Sequence, residues 1–288
     1  MLHRRKLLFS RRNRRKAPIC QTQEAHVPPA QSLIAKTPAG VLLDIDGVIC
    51  VGARPIAGSI EAVRRLRERD IPVRFVTNTT RRPRRRILED LRRLPLEIAD
   101  GEIFTPARIA RDLLTERGLA PLLIVHPDLG EDFTGLPQQG QTAVVVGDAG
   151  EAFSYQSLNG AFRALLHGAE FFALANNRNF LDSDGDLSLD AGPFVAALEF
   201  ASGKKPLVLG KPAPAFFKLA VESMGLDMED VAMIGDDAES DVGGAMAAGL
   251  MGVLVRTGKY RPGQEERLAE PPTSIEDDLS AAVAKLFG

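Results

Sequence analysis

The short apolar runs of this chain are apolar throughout rather than at every second residue, and that limits the fold more than any other feature. Runs of strand length occur at 40–45, 73–77, 122–126, 143–147, 171–175, 207–209, 231–234 and 253–255. Segments of helix length and amphipathic pattern lie between them, at 59–69, 84–93, 107–117, 155–166, 193–201, 213–224 and 238–248. A strand with one wet face alternates apolar and polar residues, whereas one covered on both faces has no reason to. Strand and helix in strict succession predict right-handed βαβ units. The expected fold class is therefore α/β, a doubly wound and mostly parallel sheet.

Four of these runs end on groups that carry chemistry. Asp44 and Asp46 close the first with Gly47, Thr77 and Asn78 close the second, Lys211 follows Val208-Leu209-Gly210, and Asp236-Asp237 follow Met233-Ile234-Gly235. Open α/β sheets bind ligands outside the carboxyl ends of their strands, so the pattern predicts that these groups meet along one sheet edge. Their spacing is uneven. Over a hundred residues separate Thr77 from Lys211, with strand and helix patterns of their own. An inserted α/β domain at 106–200 accounts for this, leaving a discontinuous core at 38–105 and 201–288. Thr105-Pro106, Gly192 and Gly203 supply turn chemistry near the crossings.

A chain of 288 residues that is 44% hydrophobic can bury a sizeable core. The formal charge of −2 conceals a basic head: eight Lys and Arg residues precede the first acid, Glu24, leaving the rest at about −10. Residues 1–37 have no sustained periodicity and are expected to be a disordered tail, with a targeting peptide, an anion-binding arm or a misassigned start as alternatives. Two cysteines, Cys20 and Cys50, make no disulfide framework, and no apolar run reaches the roughly 18 residues of a membrane span. A cytoplasmic protein without membrane contact is expected. A second basic cluster, Arg81, Arg82, Arg84, Arg85 and Arg86, lacks interleaved aromatics, and the chain has no Trp, so no nucleic-acid partner is expected.

Asp44 and Asp46 sit two apart, on one face of an ideal strand, and Gly47 permits a sharp departure after them. One carboxylate can attack phosphorus while the other handles protons. Mg²⁺ prefers oxygen ligands and bridges to phosphate, and with Lys211 it would cancel the charge that otherwise repels a carboxylate nucleophile. Thr77 offers a hydroxyl and the amides from Asn78 onward offer donors. Asp236, at a strand end, stands where a further metal ligand would sit. In the insert, Arg178 follows a strand within Asn176-Asn177-Arg178-Asn179 and is a candidate for a second anionic group on the substrate. Asp182, Asp184 and Asp186 imitate a calcium loop, but no Glu stands at its twelfth position, which argues against that site.

The four segments in this order resemble the motifs of the haloacid dehalogenase superfamily, and the long insert is similar to the α/β cap of its NagD-like branch. The likeness extends through Arg74-Phe75-Val76-Thr77-Asn78-Thr79-Thr80, Asp148-Ala149-Gly150-Glu151-Ala152-Phe153-Ser154-Tyr155-Gln156, Met233-Ile234-Gly235-Asp236-Asp237, Asp241-Val242-Gly243-Gly244-Ala245 and Arg256-Thr257-Gly258-Lys259-Tyr260-Arg261. It implies a Mg²⁺-dependent phosphatase forming an aspartyl-phosphate. Asp44 would be the nucleophile and Asp46 the acid and then the base. The metal would be held by Asp44, the Asp46 backbone carbonyl and Asp236, with Asp241 ordering its waters. Thr77, Asn78 and Lys211 would grip the phosphoryl oxygens. Asp46 stands where vertebrate pyrophosphatase-like relatives carry serine, which favours ordinary phosphatase chemistry. The expected partner is a small phosphorylated substrate: a phosphomonoester, pyrophosphate or a phospho-amino-acid. A homodimer through the insert is an alternative use for its apolar residues. A phosphotransferase or mutase, or a catalytically weak phosphate-binding scaffold, are the competing functions.

Overall fold

The strand Gly40–Asp44 (β1) is buried at all five positions, with Val41 and Leu43 in one apolar cluster and Leu42 in another. That two-sided burial recurs along the chain and produces its layers. The computed structural model describes residues 36–181 and 186–288; most of the basic head, with Asp182 and Asp184, lies outside the described residues.

After β1 come a hairpin of β2 (Cys50–Val51) and β3 (Arg54–Pro55), then β4 (Val73–Val76) and β5 (Ile103–Phe104). The next strands are β6 (Ala120–Ile124), β7 (Thr142–Val146), β8 (Glu170–Ala173), β9 (Asn179–Leu181), β10 (Leu187–Leu189) and β11 (Leu207–Val208). The last are β12 (Val231–Gly235), β13 (Met251–Val255) and β14 (Ser274–Glu276). Helices are α1 (Ser59–Glu68), α2 (Arg84–Leu91), α3 (Pro106–Arg117), α4 (Tyr155–Leu166), α5 (Ala191–Ser202), α6 (Pro214–Glu222), α7 (Gly244–Ala247) and α8 (Leu279–Phe287). The main sheet has six parallel strands in the order β14-β13-β12-β1-β4-β5, and a second parallel sheet has the order β11-β8-β7-β6. The fold is α/β with mostly parallel sheets, as expected from the unbroken apolar runs.

One face of the main sheet packs Val41, Leu43, Phe75 and Ile234 against Val63 and Leu66 of α1 and Val283 and Leu286 of α8. The other packs Leu42, Val76 and Met233 against Ile109 and Leu114 of α3 and Phe216 and Phe217 of α6. The same cluster takes in Val145 and Phe172, so α3 and α6 join the two sheets. On the far face of the second sheet, Val144 and Val146 meet Ala161 and Leu165 of α4 and Val195 and Leu198 of α5. Helix α3 starts where Thr105 Oγ1 accepts the Arg108 N–H at 3.1 Å with Pro106 in the first turn, and stops at Gly118, φ 63°.

Three local outcomes differ from the sequence expectation. The strands β2, β3, β5, β9 and β14 are two or three residues long, too short to carry a period, and α8 was not expected although Leu279, Ala282, Val283 and Leu286 follow the Asp278 cap at helical spacing. The helix expected at 238–248 is capped by the Asp237 carboxylate, which accepts the Glu239 and Ser240 N–H groups, but its first part, Ala238–Gly243, is a wide turn and only the short α7 is regular helix. The four-stranded sheet also extends past residue 200, since Leu207 and Val208 pair with Phe172 and Ala173.

Phe75 is fully buried between the main sheet and its helices. Phe75→Ala is expected to lower stability by about 3–5 kcal/mol, read as a shift of the urea midpoint at unchanged m-value.

Candidate active site

The main sheet changes direction between β1 and β12. From β1 the chain progresses to β4 and β5, while β12, β13 and β14 build outward on the opposite side. Such a reversal leaves a crevice at the carboxyl ends of the two central strands. Asp44 ends β1 and Asp236 immediately follows β12, and strands about 4.8 Å apart bring these two side chains face to face. Lys211 enters from the segment after β11, and Asp241 from the wide turn after β12.

These four side chains form one buried charge cluster. Lys211 Nζ lies 2.6 Å from Asp44 Oδ1 and 2.6 Å from Asp241 Oδ1. Carboxylate oxygens of Asp44, Asp236 and Asp241 all lie within 4.8 Å of one another. Asn78 fixes the lysine: its Oδ1 accepts the Lys211 N–H at 2.7 Å and its Nδ2 donates to the Lys211 carbonyl at 2.8 Å. The Asn78 carboxamide is thus spent on the lysine's backbone, leaving its own amide as the group that can face a ligand. Thr77 is buried beside it, and its Oγ1 accepts the Thr79 N–H at 3.3 Å.

Asp46 is separate from the triad. Its side chain is half exposed and lies 3.8 Å from Arg82, which also reaches Asp90 at 3.3 Å. Arg178 is exposed after β8; its carbonyl accepts the Asp190 N–H at 3.3 Å, and its side chain forms no ion pair among the described residues. The second basic cluster is matched by acids: Arg81 pairs with Asp148, Arg84 with Asp100, Arg85 with Glu89 and Glu131, and Arg86 with Glu89. Arg82 beside Asp46 went unread in the sequence, because a run of arginines does not reveal which one turns toward the crevice.

Burial pushes the Asp44 carboxyl up, against the pull of the Lys211 ammonium. Burial likewise raises Asp236 and Asp241, each to about 6. For Lys211, burial acts to lower the pKa, but the Asp241 and Asp44 carboxylates outweigh it and the ammonium is held charged. Three carboxylates against one ammonium leave two negative charges in a buried site. Asp236 Oδ2 accepts the Lys259 N–H at 2.6 Å, while its Oδ1 is buried without a hydrogen-bond partner among the described residues. An all-oxygen donor set with excess negative charge and an orphaned oxygen fits Mg²⁺. Gly47, φ 91°, and Gly258, φ 54°, line the approach, and a Cβ at either position would run into the Asp236 carboxylate.

The family described as haloacid dehalogenase-like hydrolase matches residues 41–152, and a HAD-hydrolase-like description matches residues 208–282. The chain is 42% identical over 254 residues to phospholysine phosphohistidine inorganic pyrophosphate phosphatase of Mus musculus, covering 86% of this chain and 94% of that protein. Among solved structures it is similar to a p-nitrophenyl phosphatase from Archaeoglobus fulgidus, with a TM-score of 0.78 and 28% identity, covering 87% of this chain and all of that one. A glycerol phosphate phosphatase from Mycobacterium tuberculosis, solved in complex with magnesium, matches with a TM-score of 0.72 and 28% identity over 86% of this chain and 77% of that one. The chain belongs to the haloacid dehalogenase-like hydrolases and is an enzyme of that family.

Two outcomes follow from the cluster's electrostatics. Lys211→Met leaves Asp44 and Asp241 buried without their cation, and at pH 8 the loss of stability is expected to be about 3–5 kcal/mol by urea denaturation. Asp236 and Asp241 have folded-state pKa values above their ordinary 3.8, so their contribution to stability is fully present below about pH 4 and is lost as pH rises through about 6. In EDTA, the melting temperature is expected to be lower at pH 7.5 than at pH 5.5, and Asp236→Asn is expected to flatten that difference.

Proposed function

We propose that this chain is a Mg²⁺-dependent phosphatase acting on small phosphorylated molecules through an aspartyl-phosphate on Asp44. The observation that carries the reading is the buried cluster itself: two of its three carboxylates share one lysine, and an Asp236 oxygen beside them has no hydrogen-bond partner among the described residues. Asp44 and Asp236 would hold the cation directly with the Asp46 carbonyl, and Asp241 would order its waters. Bound there, the ion supplies charge neutralisation for an anionic phosphoryl group beside an anionic nucleophile.

The chain's own residues account for the rest. Asp44 attacks phosphorus, forming a new O–P bond as the bond to the leaving oxygen breaks. Asp46, outside the triad and half exposed, would give a proton to that oxygen and then take one from the water that cleaves the acyl phosphate. Lys211, the Thr77 hydroxyl and the Asn78 amide are the donors for the non-bridging oxygens. The Asn78 carboxamide keeps Lys211 aimed between its two acids, so the stabilising charge is in place before the reaction begins.

Substrate choice falls to the residues around the second sheet. The names of the relatives point to phosphomonoesters, pyrophosphate or phosphorylated side chains, and exposed Arg178 is the candidate contact for a second anionic group. Among the described residues no helix is long and apolar enough to cross a membrane, and Cys50 is a buried free thiol. The free thiol supports a reducing compartment such as the cytoplasm.

Phosphate release should be measured with Mg²⁺ and with EDTA across p-nitrophenyl phosphate, glycerol phosphate, pyrophosphate and phosphohistidine. Release is expected only with Mg²⁺. Asp44→Asn is expected to lose at least about 10³-fold in kcat, and full turnover by that variant would refute the reading. Asp46→Asn is expected to lose about 10²–10⁴-fold on glycerol phosphate, and less on p-nitrophenyl phosphate, whose leaving group needs little protonation.

A further inference from the structure

The loop after β13 touches the cation site at three points that the reaction itself does not require. Lys259 donates its backbone N–H to Asp236 Oδ2 at 2.6 Å. Gln264 Nε2 donates to the Asp236 carbonyl at 3.1 Å. The Thr257 hydroxyl donates to the carbonyl of Gly47, in the turn that carries Asp46. We propose that residues 256–268 form a brace that presents a single oxygen of Asp236 to the cation, with Thr257 and Gln264 as its positioning residues. The inference rests on the Mg²⁺ reading given above.

A carboxylate free to rotate presents either oxygen, and a bound ion must then pay the entropy of choosing one. Here the Lys259 amide occupies Oδ2, and the buried oxygen without a partner among the described residues is Oδ1. The amide reaches that oxygen because Gly258 takes a left-handed φ of 54° and has no Cβ to strike the carboxylate. The far end of the loop is anchored too. Tyr260 and Leu268 pack with Ala238, Val242 and Leu254, and the first two of these lie on the turn that bears Asp241. Tyr260 Oη also contacts Glu265 Oε1 at 3.2 Å. One loop therefore ties together the backbone around Asp46, Asp236 and Asp241, as outer-shell partners do in metal sites where their removal weakens binding about 10–100-fold.

The test is calorimetric titration of the full chain with Mg²⁺ alone, for the wild type, Thr257→Val, Gln264→Leu and Thr257→Ser, with melting temperatures in EDTA alongside. Thr257→Val and Gln264→Leu are each expected to bind Mg²⁺ at least about tenfold more weakly while melting in EDTA close to the wild type. Thr257→Ser, which keeps the hydroxyl, is expected to stay within about twofold. The two sites are independent handles, so if one variant unfolds the other still decides. Wild-type Mg²⁺ affinity in a folded Val or Leu variant would overturn the brace and leave the phosphatase reading intact. Absence of Mg²⁺ binding by the wild type would overturn both.

Discussion

Lys211, held between Asp44 and Asp241, is the contact on which the rest of the site depends. Its ammonium is buried and 2.6 Å from an oxygen of each acid, so it neutralises part of a charge cluster that would otherwise be forced to bind protons. The compensation is incomplete, since Asp236 remains beside the pair. A buried excess of negative charge is unfavourable for the metal-free fold and favourable for a divalent cation, and the two statements are one fact of electrostatics. Function and instability share a location for that reason.

The scaffold makes this arrangement affordable in conformational terms. Each cluster member stands at the end of a strand or within a few residues of one, and the strands are buried on both faces by α1 and α8 or by α3 and α6. Rigid strands deliver Asp44 and Asp236 to adjacent positions at the place where the sheet reverses direction. Lys211 follows only the short, partly exposed β11, and two hydrogen bonds between the Asn78 carboxamide and its backbone hold it in place. The second sheet shares an apolar cluster with the first through α3 and α6, so the two sheets are held on one core.

Much of this was legible in the chain, and the misses have physical causes. The apolar strands were visible because burial on both faces removes polar residues from whole runs such as Val41-Leu42-Leu43. The acids and lysine at their ends were visible because charged residues stand out against such runs. The short strands at Ile103–Phe104 and Ser274–Glu276 were not, because two or three residues pair through backbone contacts that any side chain permits. The wide turn at the start of the helix expected at 238–248 was missed because it carries Asp241 to Lys211 and to the Asp237 N–H, contacts that a local helical pattern does not reveal.

Residue types and their order determined, by themselves, that a parallel α/β sheet would form and that Asp44, Asp46, Thr77 and Asp236 would stand at or just past its strand ends; Lys211 was expected on the same edge, but it follows β11 of the second sheet. Burial and backbone periodicity are local consequences of sequence, and they carry that far. Only the tertiary structure decided which groups touch. It turned the Asn78 side chain onto Lys211 rather than outward, kept the Asp46 carboxylate near Arg82 and out of the triad, and brought Lys259, Thr257 and Gln264 onto Asp236 and Gly47. Those contacts join residues from 23 to 210 positions apart, and no local preference encodes a hydrogen bond of that span.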